Sequence, residues 1–181
     1  MTKKELSQII EIPEGNNVDI DGANVTVKGP QGEISREFDL ANIVLEKKGN
    51  EMIIKSKKET KKEKRRLNTI AAHIRNMVKG AGEKFEYKLK ICSSHFPITV
   101  EVKGNEGLIK NFLGERTPRK VKILTGAEVE VNKDIIIIKS PNVEVAGQTA
   151  ANFETATKIR KRDRRIFQDG IFITSKCGEE I

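Results

Sequence analysis

The chain reads as an α+β protein of two tandem, duplicated domains, each a small, mostly antiparallel sheet packed against one main helix. Three observations predict this. Apolar and polar residues alternate over short stretches broken by glycine-bearing turns, the period of half-buried strands. That period changes twice to three- and four-residue spacing, around residues 57–79 and again from about Asn142. Finally, the first half recurs in the second. Val27-Lys28-Gly29 is echoed by Val102-Lys103-Gly104, Ile34 by Ile109, and Ile53-Ile54-Lys55-Ser56 by Ile137-Ile138-Lys139-Ser140, with spacings that drift as loop insertions would make them.

In order, Ile9 to Pro13 and Val18-Asp19-Ile20 alternate, and Asp21-Gly22 supplies the chemistry of a tight hairpin before Val25-Thr26-Val27 returns. Gly29-Pro30-Gln31-Gly32 is a second turn. Ile34, Phe38, Val44 and, after Gly49-Asn50, Met52-Ile53-Ile54 complete a meander of short antiparallel strands. Leu67, Ile70, Ala71, Ile74, Met77 and Val78 then fall on one helix face, and Gly80 and Gly82 are expected to end it. Phe85 to Ile91 alternates as a long strand. Val100 and Val102, Val121 and Ile123, Val129 and Val131, and Ile135 to Ile138 follow as strands, the last apolar enough to be central. Ala146, Ala150, Phe153 and Thr157 mark the inner face of the second helix, with Gly147 implying close approach to the sheet. Domain boundaries are expected at 1–81 and 82–181.

With 34 Lys and Arg against 26 Asp and Glu, the net charge is +8 over 181 residues. Uncompensated positive charge implies a polyanionic partner, nucleic acid first and an anionic membrane surface second. No apolar run approaches the roughly 18 to 20 residues that span a bilayer, and no charged-then-apolar signal peptide opens the chain. The two cysteines, Cys92 and Cys177, are expected as free thiols in a reducing cytoplasm.

The densest charge runs from Lys158 through Arg160, Lys161 and Arg162 to Arg164 and Arg165, offset only by Asp163. Cations at a helix C-terminus favour the macrodipole, but one or two would suffice, and arginine suits bidentate phosphate contact. A second cluster, Lys110, Arg116, Arg119, Lys120 and Lys122, brackets Asn111-Phe112-Leu113-Gly114 and Thr117-Pro118, which argues for a shaped, exposed loop. A third lies at the front of the first helix, where Lys55, Lys57, Lys58, Lys61, Lys62, Lys64, Arg65 and Arg66 face only Glu59 and Glu63. There a solvated face using Glu-to-Lys pairs competes evenly with RNA contact. After the C-terminal run, Ile166, Phe167, Ile171, Phe172 and Ile173 are apolar and expected to be buried. Asp169-Gly170 reads as a turn, with Phe167 as a core anchor.

Cys92-Ser93-Ser94-His95 has the form of half a metal site, but His73 and Cys177 are isolated and no second pair completes it. Gly80-Ala81-Gly82-Glu83-Lys84 lacks the spacing of a phosphate loop. No nucleophile–base or carboxylate pair proposes an active site, so no cofactor or metal is expected. A catalytic protein using the basic clusters as substrate clamps, with His73 and His95 as its titratable groups, remains the alternative, as does a free-standing nucleic-acid regulator. One Tyr, no Trp and seven mostly core-patterned Phe leave few residues on which single-stranded bases would stack, so structured RNA bound through its phosphates is expected.

Separate stretches carry a family likeness. Asn76-Met77-Val78-Lys79-Gly80 with Phe85-Glu86-Tyr87-Lys88, His95-Phe96-Pro97-Ile98, Asn111-Phe112-Leu113-Gly114-Glu115 and Arg165-Ile166-Phe167-Gln168-Asp169-Gly170-Ile171 together resemble the large-subunit ribosomal protein L-six family in its archaeal and eukaryotic form. Thr155 stands where that family usually has Gln, and Phe172 where it usually has Tyr. The resemblance implies a non-enzymatic, cytoplasmic ribosomal protein of two duplicated domains. It further implies that the second domain binds large-subunit rRNA near the sarcin–ricin loop, beside neighbouring ribosomal proteins and the docking region of translational GTPases. Phe167, Asp169 and Gly170 would be the structural anchor of the C-terminal signature.

Overall fold

The computed structural model describes residues 6–163 and 165–181. The chain divides into two compact units, residues 1–84 and 85–181. The first runs β1 (Leu6–Glu11), β2 (Asn17–Asp21), β3 (Asn24–Gly29), β4 (Gly32–Glu37), β5 (Ile43–Lys48), β6 (Glu51–Ser56) and α1 (Lys61–Gly82). The second runs β7 (Phe85–Cys92), β8 (Thr99–Lys103), β9 (Glu106–Lys110), β10 (Arg119–Lys122), β11 (Glu128–Asn132), β12 (Ile135–Ser140), α2 (Val143–Ala156), β13 (Gly170–Lys176) and β14 (Glu179–Glu180).

Every strand pairing is antiparallel. Each unit holds two sheets rather than one. In the first unit β1-β6-β5 and β2-β3-β4 enclose one core with α1; in the second, β10-β9-β8 and β11-β12-β7-β13-β14 do so with α2. The expected meander therefore holds only within β2-β3-β4. The first strand instead crosses to the last, with Ile10 opposite Met52.

Strand order shows the duplication directly, because β1-β6-β5 has the same sequential pattern as β7-β12-β11 and β2-β3-β4 the same as β8-β9-β10. Matching details follow. Ile12 N–H donates to the Asn50 carbonyl at 2.8 Å, and Ile91 N–H to the Asp134 carbonyl at 2.7 Å, at the same corner of each unit. The buried Ser56 hydroxyl accepts from Lys58 N–H, and the buried Ser140 hydroxyl from Asn142 N–H, each two residues on at the turn into the helix. The hairpins correct one expected echo. Val18-Asp19-Ile20-Asp21-Gly22 corresponds to Val100-Glu101-Val102-Lys103-Gly104, so Val102-Lys103-Gly104 matches the turn at Gly22 and not Val27-Lys28-Gly29. One asymmetry remains: β7 is flanked by β13 on the side where β1 is an edge.

Both helices begin at side-chain caps. Thr60 accepts from Glu63 N–H, and Asn142 from Glu144 N–H, each satisfying a donor left over in the first turn. Leu67, Ile70, Ala71, Ile74, Met77 and Val78 are all buried, as are Ala146, Ala150, Phe153 and Thr157. Of the two glycines expected to end α1, Gly82 does so, and the helix runs through Gly80. Its last carbonyls find partners outside the helix: Asn16 Nδ2 donates to Val78 and Gln31 N–H to Ala81. Gly29 permits that docking, since a Cβ there would lie 2.5 Å from the Ala81 carbonyl oxygen. In the second unit Gly147 has a similar role, its missing Cβ leaving room for the Tyr87 hydroxyl.

Candidate nucleic-acid interface

The site of interest lies in the second unit, where three irregular stretches converge. Between β7 and β8, the segment Ser93–Ile98 is held at one end by Asp169. That carboxylate, 5% exposed, accepts from Ser94 N–H at 2.8 Å and from the Ser94 hydroxyl at 2.7 Å. Asp169-Gly170 is thus no turn: the chain turns at Arg165–Ile166, while Asp169 is a buried anchor and Gly170 opens β13. Extended backbone here suits Gly170, whose absent side chain leaves space for the Phe172 ring. At the other end of the segment, Asn111 Nδ2 donates to the Pro97 carbonyl at 3.1 Å, and Gly114 sits against the Phe96 ring.

The loop after β9 is built on left-handed backbone, with φ of 58° at Asn111, 50° at Leu113 and 76° at Gly114. Such strain persists only where surroundings over-determine it. Phe112 supplies the anchor, being 1% exposed inside the core. Arg119 locks the loop from above. Its guanidinium lies 4.3 Å from the Phe112 ring centroid, donates to Glu115 at 2.8 and 2.5 Å, and donates to the Ala156 carbonyl at the end of α2 at 2.6 Å. Hydrogen bonding from Arg119, and in smaller part the positive charge of Arg162, hold the Glu115 carboxyl below the usual glutamate range despite some desolvation. Through the Ala156 carbonyl, Arg119 ties the loop to the end of α2, from which the C-terminal cationic run departs.

The predicted cations are distributed unequally. Lys110 pairs with Glu101, whose carboxyl it lowers by hydrogen bond and charge, and Lys120 stands 3.7 Å from Glu106. Arg165 grips Asp163 through Nε and Nη2. Arg162 covers the Phe167 ring at 4.9 Å. Arg116, Lys158, Arg160 and Lys161 are exposed and make no ion pair among the described residues. Arg164 lies outside the described residues. In the first unit, Arg66 pairs with Asp39 at 3.0 Å while Arg65 is exposed on α1.

Three apolar expectations change. Phe167 is half-buried under Arg162 and does not belong to the core, Ile166 is 75% exposed, and Phe172 is 43% exposed. Phe167 instead helps line a cavity of about 990 Å³ with Cys92, Ser94, Lys158 and Asp169. Thr155 and Phe172, the two departures from the resembled pattern, line the same cavity. Cys92 and Cys177 are free. His73 contacts the Arg36 guanidinium in the first unit, and His95 stacks on Phe96 in the second. Among the described residues no group of three or more His, Cys, Asp or Glu is placed to hold a metal ion, and no helix is long and apolar enough to cross a membrane. That stacked pair was missed in sequence. Its signal was the adjacency of His95 and Phe96 in a polar, proline-bearing loop.

Twice-used antiparallel α+β architecture, the second copy carrying an extra strand and a cation-rich connection, defines a duplicated basic scaffold. Two stretches of the chain, residues 12–83 and 96–170, match the model of the family described as Ribosomal protein L6, one stretch within each unit, and the chain belongs to that family. It is 43% identical over 177 residues to the large ribosomal subunit protein uL6 of Sulfurisphaera tokodaii, covering 97% of this chain and 95% of that protein. It is 44% identical to the protein of the same name from Methanothrix thermoacetophila, with 96% and 98% covered, and 47% identical to that from Methanobrevibacter smithii, with 92% and 94% covered. Membership makes it a structural, cytoplasmic ribosomal protein and not an enzyme.

Proposed function

We propose that the chain is a structural constituent of the large ribosomal subunit that binds large-subunit rRNA mainly through its second domain, residues 82–181. The observation that carries this is the convergence in the second unit of the 111–120 loop and the 158–165 run. Arg119 reaches the end of α2, where the run begins, and Ser93–Ile98 is tied to the loop through Asn111 and to Asp169, which follows the run. A rigid loop and unneutralised cations together suit recognition of RNA shape and phosphate rather than base sequence. Arg116, Lys158, Arg160 and Lys161 are the principal phosphate contacts. Arg162, Arg164, Arg165, Lys110 and Lys120 add charge at the margin. Arg119 positions the loop, and Arg65 and Arg66 contribute a lesser surface on the first domain. By the resemblance of the C-terminal signature, the binding region is that of the sarcin–ricin loop, where neighbouring ribosomal proteins and translational GTPases are the nearby partners.

The test is salt-dependent binding to protein-free large-subunit rRNA. Replacing Arg160 and Lys161 with Ala removes two exposed charges that make no ion pair among the described residues. Affinity is expected to fall, and the log–log salt slope to flatten by about 0.7 to 0.9 per lost phosphate contact. An unchanged affinity and slope would assign those cations to surface solvation.

A further inference from the structure

The expectation from composition was that few aromatic side chains stand ready to stack on a base. One pair does. His95 and Phe96 stack with ring centroids 4.4 Å apart and planes within 18°. Both are exposed, Phe96 by 39% despite its apolar ring. The two rings stack where the backbone bends, over residues 94–96. Here the backbone on either side is held, by Asp169 through Ser94 and by Asn111 through Pro97. The Phe96 ring is seated as well. Its Cζ edge fits against Gly114, where a Cβ would approach it to 3.2 Å, and Gly114 adopts a φ of 76° that other residues rarely take.

The Phe96 ring does not belong to the core of the unit and is held at the surface by its contacts with His95 and Gly114. Its position suits contact with RNA. The segment is tied on one side to the loop that carries Arg116 and on the other to the anchor that follows the cationic run. A phosphate backbone drawn along those cations passes beside the stacked rings. Duplex RNA shows its bases edge-on, so a flat aromatic face there has use only for a base that has left its helix.

We propose that His95 and Phe96 form a stacking platform for one unpaired RNA base, at a loop or bulge adjoining the helical RNA that the cations hold. This inference rests on the RNA-binding function proposed above and adds a second mode to it. Phosphate contact fixes the RNA in place, and the platform selects RNA in which a base is free at the matching position.

The two modes separate by salt. Stacking releases no counterions, whereas each phosphate contact does. In binding of the full chain to protein-free large-subunit rRNA, His95→Ala is expected to weaken affinity about five-fold or more, the lower end of what one stacked base contributes, with the salt slope unchanged. His95→Phe, which keeps the ring, is expected to restore most of the loss. Melting of the free protein should be the same for all three, since His95 is exposed. The proposal is overturned if His95→Ala binds like the parent while the Arg160→Ala, Lys161→Ala protein is weakened; phosphate recognition would then stand without the platform. It is equally overturned if neither variant changes binding, and in that case the RNA-binding assignment of this surface falls with it. A His95→Ala loss that His95→Phe fails to restore would also overturn stacking, and would make the imidazole nitrogens the contact.

Discussion

Removing the Asp169 carboxylate should loosen the second unit and leave the first intact. In Asp169→Ala, Ser94 loses the acceptor of both its backbone N–H, at 2.8 Å, and its hydroxyl, at 2.7 Å. A hydrogen bond to a charged group contributes about 1.5 to 3 kcal/mol, but Ser94 is itself exposed and water replaces part of the loss. The expected cost is about 3 kcal/mol. With a urea m value near 1.5 kcal/mol per M, the midpoint falls by about 2 M. Asp169→Asn keeps one acceptor and should cost about 1 kcal/mol. The chain offers a selective probe, because it has no Trp and its one Tyr, Tyr87, lies on β7 in the second unit. Tyr fluorescence therefore follows the second unit, and far-ultraviolet circular dichroism follows both. A Tyr87 transition that does not move in Asp169→Ala would refute the anchoring role.

Further outcomes follow from the same contacts. Gly29→Ala places a Cβ 2.5 Å from the Ala81 carbonyl oxygen and against Asn16, so it should destabilise the first unit by roughly 2 to 3 kcal/mol while the Tyr87 transition stays in place. Gly107→Ala should do the reverse, since its Cβ would lie 2.9 Å from the fully buried Phe153 ring, and the fluorescence midpoint should fall by an amount worth about 1 to 3 kcal/mol. Arg119→Lys loses the fork that serves Glu115 and Ala156 together, so it should lower the melting temperature of the second unit, whereas Arg160→Ala should not. The pH dependence of the loop follows from Glu115. Its folded pKa is depressed, so its stabilisation is complete above the unfolded value and is lost as pH falls through the folded one. Protection of the amides across 111–119, taken relative to the intrinsic exchange rate at each pH, should therefore fall only below the ordinary glutamate range. Loss of protection nearer neutrality would contradict the Arg119 pairing.

Much of the scaffold was legible because its signals are local. Helix faces such as Leu67 to Val78 announce themselves through periodicity alone, and hairpins such as Asp21-Gly22 through turn chemistry. Pairings between distant strands left no such mark. Nothing within Leu6–Glu11 says that it lies beside Glu51–Ser56, so two sheets read as one meander. Similarly, the Val-Lys-Gly repeat is a coincidence of short words, and only the register within each hairpin shows that Gly104 is the equivalent of Gly22. At the site, charge density was legible but its disposition was not. Arg119 and Arg116 look alike in sequence, yet one is bound into the loop and the other is exposed without an ion pair among the described residues. Asp169 was read as a turn residue because Asp-Gly usually is one. Its burial depends on Ser94, a partner seventy-five positions away.

Crosslinking of assembled large subunits, resolved to both amino acid and nucleotide, tests the central claim most directly. The predicted result is that crosslinks concentrate on residues 93–98, 111–120 and 158–165, with His95 or Phe96 joined to an unpaired base. Crosslinks confined to the α1 surface around Arg65 and Arg66, with the second unit silent, would contradict it.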